Sequence, residues 1–130
     1  MRKSAREAAF KIVFANLFHD GNGTNFRAAV YKQEKLEEED REFAERLVAL
    51  VSEHKDELLS LIDQRVERFA EYRIYAVDKA LLLVSLAEIK YFDDIPPVVS
   101  VSEATALAKK YSTEKSTDFV NGVLGGFINS

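Results

Sequence analysis

The stretch AVDKALLLVSLAEIKYF, residues 76–92, decides the fold. It holds the longest apolar run of the chain, residues 80–87, which is interrupted only by Ser85. The run is far shorter than the ~20 residues that cross a membrane, so it predicts a buried helix. We expect this helix, the most apolar of all, to lie at the centre of the domain. It ends at DDIPP, residues 93–97, because proline lacks an N–H and restricts the residue before it.

Apolar residues recur at helical spacing on both sides of this stretch. They predict six further helices, at about 4–18, 24–36, 39–54, 56–70, 100–111 and 116–127. Ser4 with Glu7 and Ser100 with Glu103 have the spacing of a capping box, and Ser116 or Thr117 is expected to cap the last helix. No segment alternates convincingly with period two. The sequence therefore predicts one all-α domain over residues 1–130, built from about seven short helices.

Composition limits the classes of function. The 130 residues are 47% hydrophobic and 31% charged, which suits one domain with a solvated surface. The absence of cysteine excludes disulfides, zinc–thiolate sites and cysteine nucleophiles. The basic N-terminus is not followed by an apolar signal core, so we expect a cytoplasmic protein without membrane association.

No catalytic or metal-binding set can be assembled from the sequence. His19 and His54 are the only histidines, and the pairing of His54 with Glu57 at i+3 lacks a third ligand. The acidic run at residues 37–40 is interpreted as a solvated helix start, where acids suit the dipole, in preference to a site for a divalent ion. The glycines of residues 122–126 match no phosphate-binding loop. We therefore expect no enzyme and no metal.

Charge is unevenly distributed, although the net charge is −4. Residues 1–11 carry Arg2, Lys3, Arg6 and Lys11 against Glu7 alone. Such a cluster gains affinity for phosphates by releasing counterions, so this end of the chain is a candidate RNA-binding patch. Taken alone, the charge pattern is weak support for RNA binding.

The C-terminal half resembles a known family in the order and spacing of short motifs. They are RIYAVDKALL (73–82), AEI (87–89), IP (95–96), SEA (102–104), LAK (107–109) and FVNGVL (119–124). This pattern resembles the NusB family of bacterial transcription antitermination factors, and RKSAREA (2–8) resembles its arginine-rich motif. Residues 20–60 match only in helical pattern. The chain departs from the family at Leu83, Ala87 and Ser102, where Arg, Tyr and Asn are usual.

The resemblance implies two packed helical bundles and a function without catalysis or cofactor. It implies pairing with NusE, a small-subunit ribosomal protein, and binding of boxA RNA in the leaders of ribosomal RNA operons. The pair would join NusA and NusG on RNA polymerase and suppress premature termination. Some members self-associate, so a homodimer is also implied as an option.

The resemblance also implies roles for particular residues in RNA binding. Arg2, Lys3 and Arg6 match the arginine-rich motif and would hold phosphates. Lys115 and Phe119 match the RNA-facing loop and helix start. The Phe119 ring either stacks on a base or belongs to the core, and the sequence leaves both open.

Two further positions match the surface that faces the protein partner. Asp78 is the stronger match, and Tyr72 is a weaker neighbour on the same surface. Without the resemblance, Asp78 is equally well explained as an acid that suits the dipole at a helix N-terminus. Asn121 and Gly122, inside the last apolar segment, are expected to serve close packing between helices.

Two alternative functions stay open. The first alternative is a helical protein-interaction module with little RNA binding. The second is a relative of an RNA cytosine methyltransferase that carries the same domain at its N-terminus. We expect the stand-alone factor, because that enzyme needs a large cofactor-binding domain after the helical one.

Overall fold

A computed structural model describes residues 2–18, 24–66 and 74–128, apart from the side chains of residues 24 and 25. The described part is made of α-helices and contains no β-strand. The helices are α1 (Arg2–Asn16), α2 (Thr24–Gln33), α3 (Glu38–Glu53), α4 (Lys55–Val66), α5 (Ala76–Tyr91), α6 (Pro97–Tyr111) and α7 (Glu114–Ile128). The prediction of an all-α fold with about seven short helices is confirmed.

Helix α5 is the centre of the molecule. It packs against α1, α3, α4, α6 and α7, and every residue from Ala80 to Glu88 is buried. A helix that is apolar on all sides must be surrounded by others, which is what the run at residues 80–87 predicted. None of the helices in the described part is long and apolar enough to cross a bilayer.

The other helices form two groups that share α5. On one side, α1 packs on α3 and carries α2. On the other side, α6 packs closely on α7, and α4 contacts α7 as well as α3. This arrangement agrees with the two packed bundles that the family resemblance implied.

A buried ion pair joins α1 to both α5 and α6. The Nε of Arg6 donates to a carboxylate oxygen of Glu88 at 2.6 Å, and the hydroxyl of Ser100 donates to the other oxygen. The Arg6 guanidinium also lies 5.4 Å from the ring centroid of Phe43 on α3. One carboxylate on the central helix therefore receives donors from two neighbouring helices.

Both predicted capping boxes are wrong. Helix α1 begins at Arg2 and α6 at Pro97, so Ser4 and Ser100 lie inside their helices. Proline suits the first helical position because its φ is already helical and its missing N–H needs no partner there. Ser100 is consequently free to serve the buried carboxylate instead of a helix end.

The cap of α7 also differs from the prediction. The backbone N–H of Ser116 donates to the hydroxyl of Thr113 at 3.1 Å, and the helix begins at Glu114. Thr113 is thus the N-cap, in place of Ser116 or Thr117. In such a cap, the threonine oxygen usually accepts a hydrogen bond from the N–H of the third residue after it.

Helix α2 ends at Gln33, earlier than predicted, in a Schellman motif. The N–H of Leu36 donates to the carbonyl of Tyr31 at 3.0 Å, and the N–H of Lys35 to that of Lys32 at 3.1 Å. Lys35 occupies the left-handed position with a φ of 56°, where glycine is the common residue.

Arg6→Ala is expected to destabilise the fold strongly, because it leaves the Glu88 carboxylate buried without its cation. Removing one partner of a buried pair costs about 3–5 kcal/mol, a large share of the stability of a small domain. Urea unfolding followed by circular dichroism measures the loss.

Arg2→Ala is the matched control, because Arg2 is exposed and stacks on the same Phe43 ring at 4.6 Å. The free energy of unfolding of Arg2→Ala is expected to fall by less than about 1 kcal/mol. Equal losses for the two variants would contradict a structural role for the Arg6–Glu88 pair.

Candidate nucleic-acid interface

The first turn of α1 presents two exposed cations, Arg2 and Lys3. The Arg2 guanidinium rests on the ring of Phe43, which orients it without neutralising its charge. Both side chains are accessible to solvent, and their contact with RNA phosphates stays a prediction.

Arg6 behaves differently, and its predicted phosphate contact is contradicted. Its side chain is buried, and its Nε is already engaged by Glu88. A guanidinium held in a buried ion pair has neither the free charge nor the access that an RNA phosphate requires. The sequence could not show this, because Glu88 lies 82 residues further along the chain.

Glu7, one turn into α1, joins this helix to the C-terminal end of α6. Its carboxylate accepts from the ammonium of Lys110 at 2.8 Å and from the hydroxyl of Tyr111. Burial raises the pKa of Glu7, but the hydrogen bonds from Lys110 and Tyr111 outweigh it and hold the pKa below its ordinary value. The hydrogen bond to Glu7 in turn raises the pKa of Lys110, so both groups are charged at neutral pH.

Lys110 is a cation that the site prediction missed. Its ammonium is paired with Glu7, but unlike Arg6 its side chain remains 60% exposed, so it stays accessible to an anion on the surface beside α1. The signal was present in the sequence as the basic pair Lys109 and Lys110 at the end of α6. Only the contact with Glu7 connects that pair to the N-terminal patch.

Lys115 and Phe119 lie on α7 with opposite exposure. Lys115, in the first turn, is exposed as an RNA-contacting cation must be. Phe119 is only 3% exposed and is part of the core. Of the two roles that the sequence left open for Phe119, the structure contains the core one, and a ring this buried cannot stack on a base.

Asp78 is buried completely and cannot face a partner in this structure. Its two carboxylate oxygens accept from the hydroxyls of Ser112 and Ser116, each at 2.9 Å. The side chain lies in the first turn of α5, as the alternative interpretation predicted, and it fastens the connection between α6 and α7. The predicted partner-facing role of Asp78 is contradicted by this burial.

The neighbourhood of Asp78 nevertheless presents an exposed aromatic residue. Tyr75 is the N-cap residue of α5 and is 51% exposed. Tyr72, the other predicted partner residue, lies outside the described residues. Aromatic residues at a surface are enriched in protein interfaces, so Tyr75 is a better candidate than Asp78.

Asn121 and Gly122 are exposed on α7, so the prediction that they serve helix packing is wrong. Asn121 lies on the wall of a shallow groove between α6 and α7, together with Gly125 and Val98. The packing face of α7 is formed instead by neighbours at helical spacing, such as Val120 and Val123.

No metal centre is formed within the described ranges, since no three His, Cys, Asp or Glu side chains are placed to share an ion. His54 ends α3, as predicted, and its ring stacks on that of Tyr91 at 4.4 Å. The acidic run forms the first turn of α3, the predicted solvated helix start. His19 lies outside the described residues.

The fold and its surface define a small helical binding protein with a cationic face at the start of α1. Residues 3–129 match the model of the NusB family. A transcription antitermination protein NusB from Agathobacter rectalis is 37% identical over 128 residues, covering 97% of this chain and 98% of that protein. The chain therefore belongs to the NusB family of non-enzymatic transcription antitermination factors.

Solved structures of similar proteins agree with this membership. One is a complex of the antitermination factors NusB and NusE with double-stranded RNA, which matches with a TM-score of 0.83 and 26% identity over 96% of this chain and 93% of that chain. NusB from T. maritima matches with a TM-score of 0.81 and 30% identity over 100% and 92%. The recognition of the family from its short motifs is confirmed.

Glu7→Gln is expected to lower stability in a pH-dependent way. Because the pKa of Glu7 is held below its ordinary value of 4.5 in the folded state, its ionised form stabilises the protein above that pH. The difference in free energy of unfolding between the natural protein and the variant, about 1 kcal/mol at pH 7, should disappear as the pH falls below 4.5. Urea titrations between pH 3 and about pH 8 measure it.

Glu57→Gln is the matched control, because Glu57 also accepts from a lysine and a tyrosine, Lys90 at 3.2 Å and Tyr91 at 3.3 Å. Its carboxylate is exposed, so solvent screens the pair and the pH-dependent difference should be much smaller. A Glu7→Gln difference that persists unchanged at acidic pH would show that ionisation of Glu7 is not the stabilising factor.

Proposed function

We propose that this protein binds boxA-type RNA from ribosomal RNA operon leaders together with NusE. The pair would join NusA, NusG and RNA polymerase in the cytoplasm and suppress premature termination. Family membership supports this proposal, as does the related complex of NusB with NusE and RNA. The observation that carries it is the group of exposed cations that α1 and the end of α6 bring together.

The cations act mainly through phosphate neutralisation. Arg2 and Lys3 extend from the first turn of α1, and Glu7 holds Lys110 beside that helix at 2.8 Å. Each phosphate that a lysine neutralises on a single strand releases counterions and adds about 0.7 to the salt dependence of the affinity. Such contacts position RNA but read little sequence, so base preference must come from other groups or from NusE.

The small number of cations suits a composite RNA surface. Arg6 and Phe119, two of the five predicted RNA contacts, are buried. A partner that supplies further contacts would compensate for their loss. NusE is proposed as that partner, with the exposed Tyr75 at the start of α5 as part of its docking surface.

Lys3→Ala and Lys110→Ala are expected to weaken RNA binding by the same mechanism. Each should lower the slope of log affinity against log salt by about 0.7, because one phosphate contact is lost. Fluorescence anisotropy of a labelled boxA RNA, with and without NusE, across a salt series measures the slope.

Lys55→Ala is the control, because Lys55 begins α4, which packs on α3, α5 and α7. The slope of log affinity against log salt for Lys55→Ala should equal that of the natural protein. If Lys3→Ala and Lys110→Ala also leave the slope unchanged, the cationic face at α1 is not the RNA site.

Tyr75→Ala is expected to weaken binding of NusE by about tenfold, because an aromatic anchor at an interface contributes more than 1 kcal/mol. Calorimetric titration of NusE measures the change. Val98→Ala is the matched control, since Val98 is another large exposed apolar residue, 67% exposed on α6. A loss of affinity only for Val98→Ala would place NusE in the groove between α6 and α7.

A protein-interaction module with little RNA binding is the second candidate function. The burial of Arg6 and Phe119 favours it, because both side chains are unavailable to RNA. Binding of NusE without any RNA affinity at low salt would establish this second function.

A further inference from the structure

A large pocket opens between the end of α2 and the start of α3. Its volume is about 790 Å³. The Schellman turn at Lys35 forms one wall, and the first turns of α3 form another. The pocket is lined by Arg27, Ala28, Tyr31, Lys32, Lys35, Leu36, Arg41 and Glu45.

The charge of the lining is strongly positive. Four side chains are cationic and only Glu45 is acidic. The ion pairs found among residues 2–18, 24–66 and 74–128 involve none of the four cations. Four cations against one carboxylate leave the concavity with a net positive charge, which an anion would offset.

Two buried hydrogen-bond donors in the lining lack acceptors. Tyr31 is 5% exposed, and its hydroxyl has no hydrogen-bond partner among the described residues. The Nε of Arg27 is likewise buried without an acceptor in that part of the chain. Buried polar groups are normally satisfied, so two such groups at one pocket indicate a missing acceptor.

The tyrosine hydroxyl is suited to donate. Burial raises the pKa of Tyr31, and the charge of Glu45 adds to the effect, while Arg27 and Arg41 oppose it. The phenol therefore keeps its proton at neutral pH.

Lys35 is held in a backbone conformation that disfavours it. Its φ of 56° lies in the left-handed region, where a side chain is strained and glycine is not. The Schellman turn that ends α2 requires this conformation at its C′ position, whichever residue occupies it. Here the lysine places a cation on the pocket wall, which a glycine would not do.

We propose that the pocket between α2 and α3 binds the phosphate group of a nucleotide. The unsatisfied groups are all donors or cations, and arginine forks match phosphate oxygens in geometry. The volume exceeds that of a bare phosphate, and Ala28 and Leu36 offer an apolar surface to an organic body. A nucleoside phosphate meets both conditions.

This site is separate from the cationic face of α1. Arg2 rests on the ring of Phe43, whereas Arg41, two residues earlier on α3, lies over the ring of Tyr31 at 6.0 Å. Residues two apart on a helix point about 200° apart around its axis, so the two sites use different faces of α3. The inference does not rest on RNA binding at α1.

The phosphate group that enters the pocket could belong to a free nucleotide or to an RNA strand, and the titrations distinguish these two sources. The probes are inorganic phosphate, AMP, adenosine and a short single-stranded RNA, each titrated into the intact protein by calorimetry. We expect AMP to bind and adenosine not to bind, because the neutral nucleoside lacks the phosphate. If RNA competes with AMP the strand is a source, and if it does not the free nucleotide is the ligand.

Three substitutions test the assignment of residues. Tyr31→Phe and Arg41→Gln should each weaken AMP binding by about tenfold, because each removes a donor to a charged acceptor. Glu45→Gln should strengthen binding, because it removes the only acidic group of the lining.

Lys35→Gly separates ligand binding from folding. It should weaken AMP binding and at the same time keep or raise the melting temperature, since glycine relieves the strained φ. The proposal is overturned if AMP fails to bind, if adenosine binds as well as AMP, or if Tyr31→Phe, Arg41→Gln and Lys35→Gly leave the affinity for AMP unchanged.

Discussion

The buried pair of Arg6 and Glu88 is the interaction on which the arrangement of the helices depends. It fixes α1 against the central helix, and Ser100 extends the same carboxylate to α6. Two charges removed from water are tolerated only when both are fully satisfied, so the three helices must meet in one geometry. This pair also limits RNA binding, because Arg6, at the centre of the basic motif, is no longer available to RNA. The exposed charge is left to Arg2 and Lys3, one turn earlier.

Two other carboxylates likewise accept hydrogen bonds from two donors each. Glu7 receives Lys110 and Tyr111 from the end of α6, and Asp78 receives two serine hydroxyls from the connection to α7. In each case one acid accepts two donors from an element distant in sequence. The position of the surface cations on α6 and α7 is therefore set by acids inside the molecule. The binding face is held in place before any ligand arrives, which reduces the entropy lost on association.

The sequence predicted the elements well because a helix buries residues at a period that can be counted. It placed residues 76–92 at the centre for the same reason, and the short motifs identified the family. It failed where a side chain's partner is remote, since nothing near Arg6 or Asp78 indicates Glu88 or Ser116. Phe119 and Gly122 are a different case. The apolar phase of Val120, Val123 and Leu124 puts Phe119 on the buried face and Gly122 on the outer one, so helical phase alone contains the correct answer.

The contrast between α5 and α2 has a consequence for local opening. Helix α5 touches five helices, so its amide hydrogens exchange with solvent only when the whole domain unfolds. Helix α2 packs mainly on α1, to which the hydrogen bond from Lys11 to Glu34 also ties it, so it is expected to open more readily than α5. The pocket beside α3 is thus built on an element that contacts fewer neighbours than α5, although its Val30 and Tyr31 belong to the core. A ligand that bridges α2 and α3 would slow that opening, and part of its binding energy would be spent on ordering the helix.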